Sequence, residues 1–184
     1  VTTHTALIPG ASRGLGLGLT ERFLERGWTV TSTSRSSGAD RLPALADRSA
    51  GRLMPETVDI DDEAQVAGLH DRLDRTRFDL VFVNAGTTHD RWETVAEVST
   101  ATFQRVMVTN ALSPLRFVER FQDLVSPTGT IGVMSSGQGS ITRNTRVTGW
   151  EIYRASKSAL NQLMRSHAAR HPDDPRTLLL IAPG

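Results

Sequence analysis

Short apolar runs alternate along this chain with longer stretches whose apolar residues recur at helical spacing. Residues 5–8, Thr-Ala-Leu-Ile, read as a first strand, and a glycine-rich turn separates them from a helix expected over 14–26, which Gly27 stops. Residues 28–33 are rich in β-branched side chains and read as a second strand. Weaker patterns place a helix near 40–47 and a third strand near 53–58. Over 61–73 the residues Ala64, Ala67, Leu69 and Leu73, with Val66 beside them, lie on one helical stripe. Residues 78–83, Phe-Asp-Leu-Val-Phe-Val, form a short apolar run of the kind a buried strand requires. Ser99 is placed to cap a long helix in which Phe103, Val106, Met107, Phe117, Val118 and Phe121 recur at spacings of three or four. Pro114 falls inside that pattern and is expected to bend or break it. Residues 130–134 read as a fifth strand, 152–170 as a helix and 177–181 as a sixth strand.

Repeated strand–helix alternation predicts an α/β fold, a doubly wound, Rossmann-type parallel sheet with helices on both faces. The length suits a single domain over residues 1–184. Ligands of such sheets bind beyond the carboxyl ends of the strands, where the strand order reverses, so the strand ends are where chemistry is sought.

Composition narrows the picture further. A chain this long buries on the order of 70% of its unfolded surface, so a core needs no staples, and the sequence has no cysteine for a disulfide or a thiolate metal site. Lys and Arg number 21 against 20 Asp and Glu, a near-balance that offers no field for nucleic acid or an anionic membrane, and neither partner is expected. The first eight residues lack a charged leader, and the apolar stretch 178–182 is too short to span a bilayer, so the chain is read as cytoplasmic. His4, His70, His167 and His171 are read as lacking ligand spacing, and no metal is expected. His89 is either a cleft residue or, as is commoner for a lone loop histidine, polar surface. The aromatic stripe Phe103, Met107, Phe117 and Phe121 is read as core or subunit contact.

Two constellations carry chemistry. The first is Gly10-Ala-Ser12-Arg13-Gly14-Leu15-Gly16, a turn between strand and helix. Glycine allows positive φ and close backbone approach, and the helix N-terminus behind it favours a pyrophosphate. Past the second strand comes Thr33-Ser34-Arg35-Ser36-Ser37-Gly38, with no acid before Asp40 to grip a ribose 2′-hydroxyl. Arg35 and Arg13, helped by the hydroxyls of Ser34 and Ser36, instead suit the 2′-phosphate of NADP. The alternative is that both arginines are solvated surface groups.

The second constellation is Tyr153-Arg-Ala-Ser-Lys157, whose end residues share one helical face and are the only tyrosine and the only lysine in the sequence. Lowering a free phenol from a pKa of ~10 to ~7 takes about 4 kcal/mol. An ammonium at ~4 Å supplies about 1 kcal/mol in bulk water and about 4 kcal/mol at an effective dielectric of ~20. Such a pair therefore works in a partly dry cleft, and an exposed pair is idle.

Together these residues resemble the short-chain dehydrogenase/reductase family along essentially the whole chain, most nearly its short, C-factor-like branch. Residues 10–16 are similar to the family's glycine motif, and Asn84-Ala85-Gly86 to its Asn-Ala-Gly signature. Asp59 matches the acid that meets the adenine. Asn110 matches an asparagine that holds a relay water, and Ser136, followed by Gly139, the catalytic serine. Tyr153 and Lys157 match the Tyr-x-x-x-Lys pair, and Pro183-Gly184 the turn beside the nicotinamide. The resemblance implies an NADP(H)-dependent oxidoreductase moving hydride between nicotinamide and a small carbonyl or alcohol. Tyr153 would exchange the proton and Ser136 would fix the substrate oxygen. Lys157 would lower the tyrosine pKa and hold the ribose, and Asn110 would organise a water that links Lys157 to solvent. It also implies a homo-oligomer, dimer or tetramer.

The sequence departs from the pattern at four places. Pro9 replaces a common threonine, Ser135 and Ser136 are adjacent, and the loop 137–151 is long, with Arg143 and Arg146 in it. Relatives also continue past the position of Gly184 into a substrate loop, a helix and a strand, so a C-terminal part is expected to be missing. Two rival readings are a nucleotide-sugar epimerase or dehydratase, which carries a differently spaced glycine motif, and an NADP-binding regulatory protein with a vestigial site, against which the complete set Asn110, Ser136, Tyr153 and Lys157 argues.

Overall fold

A computed structural model describes residues 3–36 and 41–183. Its strands are β1 (Thr5–Pro9), β2 (Thr29–Ser34), β3 (Leu53–Thr57), β4 (Phe78–Val83), β5 (Val125–Met134) and β6 (Thr177–Ile181). They form one sheet in the order β3-β2-β1-β4-β5-β6, with every neighbouring pair parallel. The order reverses between β1 and β4, so the crevice expected of a doubly wound sheet opens there.

The helices are α1 (Gly14–Glu25), α2 (Leu42–Asp47), α3 (Glu63–Leu73), α4 (Thr100–Met107), α5 (Ser113–Phe121) and α6 (Glu151–Arg170). The side-chain period of two along each strand divides the core into two layers. Ala6, Ile8 and Val30 pack with Leu17 and Leu24 of α1 and Leu42 of α2 on one face. Leu7, Val81, Val83, Ile131 and Val133 pack on the other against α3, α5 and α6, where Leu69, Phe121 and Leu160 are fully buried. Each such side chain contributes roughly 1.5–3 kcal/mol of burial. A polar tie crosses the first layer, where the fully buried Thr20 of α1 shares a 2.8 Å hydrogen bond with Ser32 of β2.

Local sequence explains most element ends. Asp62 caps α3 by accepting from the backbone of Ala64 and Gln65, and Ser99 caps α4 by accepting from Thr102. The helix expected over 40–47 begins at Leu42, and Asp40 lies outside the described residues. Two expectations need correction. The fifth strand starts at Val125 rather than at residue 130; its register shifts between Phe78 and Leu80 of β4, and the Pro127-Thr128-Gly129 step hides its start from a pattern of apolar residues. The helix around Pro114 neither bends nor breaks cleanly. It widens into a π-helical turn, Val108–Leu112, in which the Ser113 amide donates to the Val108 carbonyl five residues back. A proline ring clashes with the carbonyl four residues earlier, and a wider turn gives it room. Phe117 and Phe121 stack in the core, whereas Phe103 is exposed. Among the described residues no helix is long and apolar enough to cross a membrane.

Candidate active site

The glycine turn follows β1 directly. Gly10 has φ +87°, and a Cβ there would lie 2.5 Å from the Ala85 nitrogen; a Cβ on Gly16 would lie 2.2 Å from the Gly10 carbonyl oxygen. Only glycine lets these three segments approach so closely. The turn is braced by backbone rather than by a hydroxyl at position 9. Gly10 and Ala11 donate to the Thr33 carbonyl at 3.1 and 2.9 Å, Asn84 and Ala85 donate to the Pro9 carbonyl, and the Asn84 side chain donates to the Gly10 carbonyl at 2.7 Å. Pro9 thus costs the turn nothing, because its carbonyl is the group in use.

Beside this turn lies a groove of about 340 Å³ lined by Gly10, Ser12, Arg13, Gly14, Leu15, Arg35, Asp59, Asn84, Ala85 and Gly86. Ten of the cofactor residues expected from sequence therefore meet in one place, drawn from four strand ends. Gly16 acts beneath them as the packing residue. The first turn of α1 carries no side-chain cap, since Arg13 at the cap position makes none, which leaves its amides aimed at an anion. Arg13 and Arg35 are exposed, and neither forms an ion pair among the described residues. Ser34 also lines the groove; it is buried, and its hydroxyl donates to the Ser36 carbonyl beneath Arg35. The groove also takes in Thr33, Val58, Ile60, Thr109 and Met134, which sequence reading missed because no motif marks them.

The second constellation sits on α6. Lys157 is 3% exposed, lies with its Nζ 5.8 Å from the centre of the Tyr153 ring, and donates to the Met134 carbonyl at 2.7 Å. Burial lowers its pKa from 10.5 to about 8. Tyr153 is half-buried. The adjacent serines separate cleanly. The Ser135 hydroxyl points inward and donates to Asn161 at 2.6 Å, whereas Ser136 accepts from the Gln138 amide and its proton finds no acceptor among the described residues. Close approach of the following loop to α6 needs Gly139, where a Cβ would lie 2.9 Å from Lys157.

Asn110, fully buried in the π-helical turn, accepts from the Thr87 amide at 2.8 Å and donates to the Thr87 carbonyl and to Ser156 Oγ, each at 2.9 Å. Ser156 in turn donates to the Tyr153 carbonyl at 2.7 Å. Thr87 and Ser156 went unnoticed in the sequence, since their value lies in a pairing between distant segments. The same network brings Gly86 to Lys157: a Cβ on Gly86 would lie 3.8 Å from its Nζ and 3.3 Å from Asn110 Oδ1. Pro183 is exposed two residues past β6, and Gly184 lies outside the described residues.

Two histidine readings change. His89 is buried rather than on the surface, with neither ring nitrogen partnered by protein; it meets the edge of Trp150, which meets Tyr153. His167 and His171 do have a spacing that groups them, one in the last turn of α6 and one just past its end, and with Glu119 they place candidate ligand atoms within 4.8 Å of one another. Glu119 is engaged there by His167 at 2.9 Å and by Arg170. Arg143 and Arg146 stand on the exposed part of the loop.

A groove at the switch point of a parallel sheet, with a phenol and a buried ammonium beside it, defines a nucleotide-binding enzyme of the doubly wound class. The family model for short chain dehydrogenases matches residues 4–184, and the chain belongs to that family of oxidoreductases. It is 30% identical to 1-hydroxy-2-glutathionyl-2-methyl-3-butene dehydrogenase of Rhodococcus sp. (strain AD45), over 98% of this chain and 76% of that protein. It is 29% identical to the NADPH-dependent pterin aldehyde reductase of Arabidopsis thaliana, over 100% of this chain and 75% of that one. Among solved structures it superimposes on a carbonyl reductase from Pseudomonas aeruginosa PAO1 in complex with NADP, with TM-score 0.93 and 37% identity over 100% of this chain and 80% of the other. A Burkholderia multivorans structure with bound NADP, itself assigned to the short-chain dehydrogenases/reductases, gives TM-score 0.95 at 51% identity over 100% and 80% of the two chains.

Proposed function

We propose that this chain is an NADP(H)-dependent oxidoreductase that interconverts a carbonyl and an alcohol, with Tyr153 exchanging the proton. One observation carries the reading: Tyr153 and the buried Lys157 lie together on α6, and Lys157 approaches Gly86 of the glycine groove. The groove fits a dinucleotide on the chain's own terms. Glycines keep its floor open, uncapped amides of α1 suit a pyrophosphate, and Asp59 borders it where an adenine amine would find an acceptor. Arg13, in the turn after β1, and Arg35, at the end of β2, both line the groove and form no ion pair among the described residues, which favours a 2′-phosphate over a free hydroxyl. The NADP seated in the two similar structures supports the same choice.

The bound cofactor supplies the hydride. Ser136, with its proton uncommitted, donates to the substrate oxygen and fixes its position. Tyr153 delivers a proton to that oxygen in reduction and takes one back in oxidation. Lys157, held by the Met134 carbonyl, places a positive charge one helical turn away, where it favours the phenolate and would hold the ribose hydroxyls of a bound cofactor. Asn110 spends its amide on Thr87 and Ser156 and so holds the turn and the start of α6 in register; it acts here as a positioning residue.

The test is turnover of aldehydes, ketones and quinones with NADPH deuterated on the transferable position. Deuterium at the reduced carbon, with NADPH preferred to NADH, is the expected result. NADPH binding without transfer to any of them would contradict the assignment and favour a regulatory protein.

A further inference from the structure

We propose that the hollow between the loops after β4 and β5 is a carboxylate subsite, so that the preferred substrates carry an anionic group remote from the reacting carbon. The proposal rests on the oxidoreductase reading and adds the substrate class to it.

The hollow, of about 680 Å³, lies on the same carboxyl edge of the sheet as the cofactor groove, because both loops leave the sheet there. Its walls are tied to each other. The Trp150 amide donates to the Arg91 carbonyl at 2.6 Å, Arg91 Nε donates to the Thr148 carbonyl at 3.1 Å, and the Val95 amide donates to the Glu151 carboxylate at 2.9 Å. Gly149, at φ +72°, permits the contact, since a Cβ there would lie 2.2 Å from the Arg91 oxygen. The long loop is therefore built against its neighbour.

Three guanidinium groups line this hollow, those of Arg91, Arg146 and Arg154. Arg154 is held by neutral acceptors alone: the Gly149 carbonyl at 3.0 Å, Asn144 Oδ1 at 2.6 Å and the Thr148 hydroxyl. Arg91 lies over the Trp92 ring at 4.8 Å. Among the described residues none of the three pairs with a carboxylate, whereas Arg72, Arg116 and Arg176 each do. Glu93 and Glu151 also line the hollow, Glu151 accepting from the Val95 amide, so the guanidinium groups outnumber the carboxylates there by one. A fixed guanidinium that holds no ion pair gains a bidentate carboxylate without first losing one.

The placement suits a substrate held at both ends. Arg154 follows Tyr153 on α6, where successive side chains diverge by about 100°, and Ser140 of the hollow stands four residues after Ser136. Trp92, Ile141 and Val147, 62%, 82% and 95% exposed, flank the arginines. Such exposed apolar groups beside fixed cations match an apolar linker that ends in a carboxylate.

The test compares 4-formylbenzoate and 4-formylcinnamate with their methyl esters, using the full chain and NADPH. Each acid is expected to exceed its ester at least tenfold in kcat/KM, through KM. That advantage should shrink toward unity in Arg146→Gln, an exposed position where folding tolerates the change, or in Arg91→Gln. Tryptophan fluorescence titration with the same four compounds reads affinity without turnover. If no aldehyde is reduced, the enzymatic reading fails for aldehydes while the titration still decides the subsite. Equal affinity and equal kcat/KM for acid and ester, or an acid preference that survives in both Arg146→Gln and Arg91→Gln, overturns the proposal.

Discussion

Arg35 and Lys157 show how much a single side chain can decide. Arg35 stands at the end of β2 with no ion pair among the described residues, and a charge-assisted hydrogen bond to a phosphate is worth about 1.5–3 kcal/mol. Arg35→Asp is therefore expected to weaken NADPH binding at least tenfold while sparing NADH, as read by calorimetry with both nucleotides; an unchanged ratio would remove Arg35 from the phosphate site. Lys157 makes a different prediction, about stability. Burial lowers its pKa from 10.5 to about 8, which corresponds to about 3 kcal/mol. Below pH 8 the ammonium is charged in both folded and unfolded chains, and its burial holds the folded state back. As pH rises from 8 to 10.5 the folded protein gives up the proton first and the penalty is relieved. Lys157→Met should then unfold at higher denaturant concentration than the parent at pH 7, with the gap closing by pH 10.5. A parent that is the more stable at pH 7 would show that the Met134 hydrogen bond outweighs desolvation. The glycine turn and the pair Tyr153 and Lys157 were legible in the sequence because each is a spacing within a few residues of chain. Thr87, Ser156 and the inward Ser135 were not, since their partners are set by packing between distant segments.

The elements behave as the hydrophobic pattern dictates except where a backbone group is missing. Asp62 and Ser99 cap their helices, and β4 and β6 have the limits their apolar runs announce. The π-helical turn was illegible beyond the presence of Pro114, because periodicity reports faces and not hydrogen-bond registers. That turn places Asn110 against Thr87. Pro114→Ala restores an amide and removes the ring clash, worth about 3 kcal/mol or more in a helix interior, so it favours an ordinary α-helical register. The expected outcome is an unchanged or raised Tm with at least a tenfold fall in kcat, as Asn110 swings off its partners. Full activity in that variant would show that the widened turn does not position the site.

Across the whole molecule the sheet order does the assembling. Reversal between β1 and β4 opens the groove, and β2, β3 and β5 bring Arg35, Asp59 and Met134 to it. Strand alternation was enough to foresee a doubly wound parallel sheet, because parallel strands joined by right-handed crossovers leave few alternatives, while the order of its strands comes from the structure. The hollow between the β4 and β5 loops could not be foreseen, being made by loops whose mutual contacts no periodicity encodes. A groove that draws on so many strands couples ligand to global stability. NADPH at a hundredfold excess over its Kd should add about 2.7 kcal/mol, roughly 5–11 °C in Tm for a chain of this size. A thermal shift absent at saturating NADPH would place the nucleotide elsewhere.

Tyr153→Phe provides the most direct test, with the NADPH Kd and single-turnover oxidation of bound NADPH measured on the same preparation. Removing a general acid costs about a hundredfold to ten-thousandfold. The expected result is a Kd within about threefold of the parent, with turnover reduced by that amount. Parental turnover from the phenylalanine variant would contradict the account.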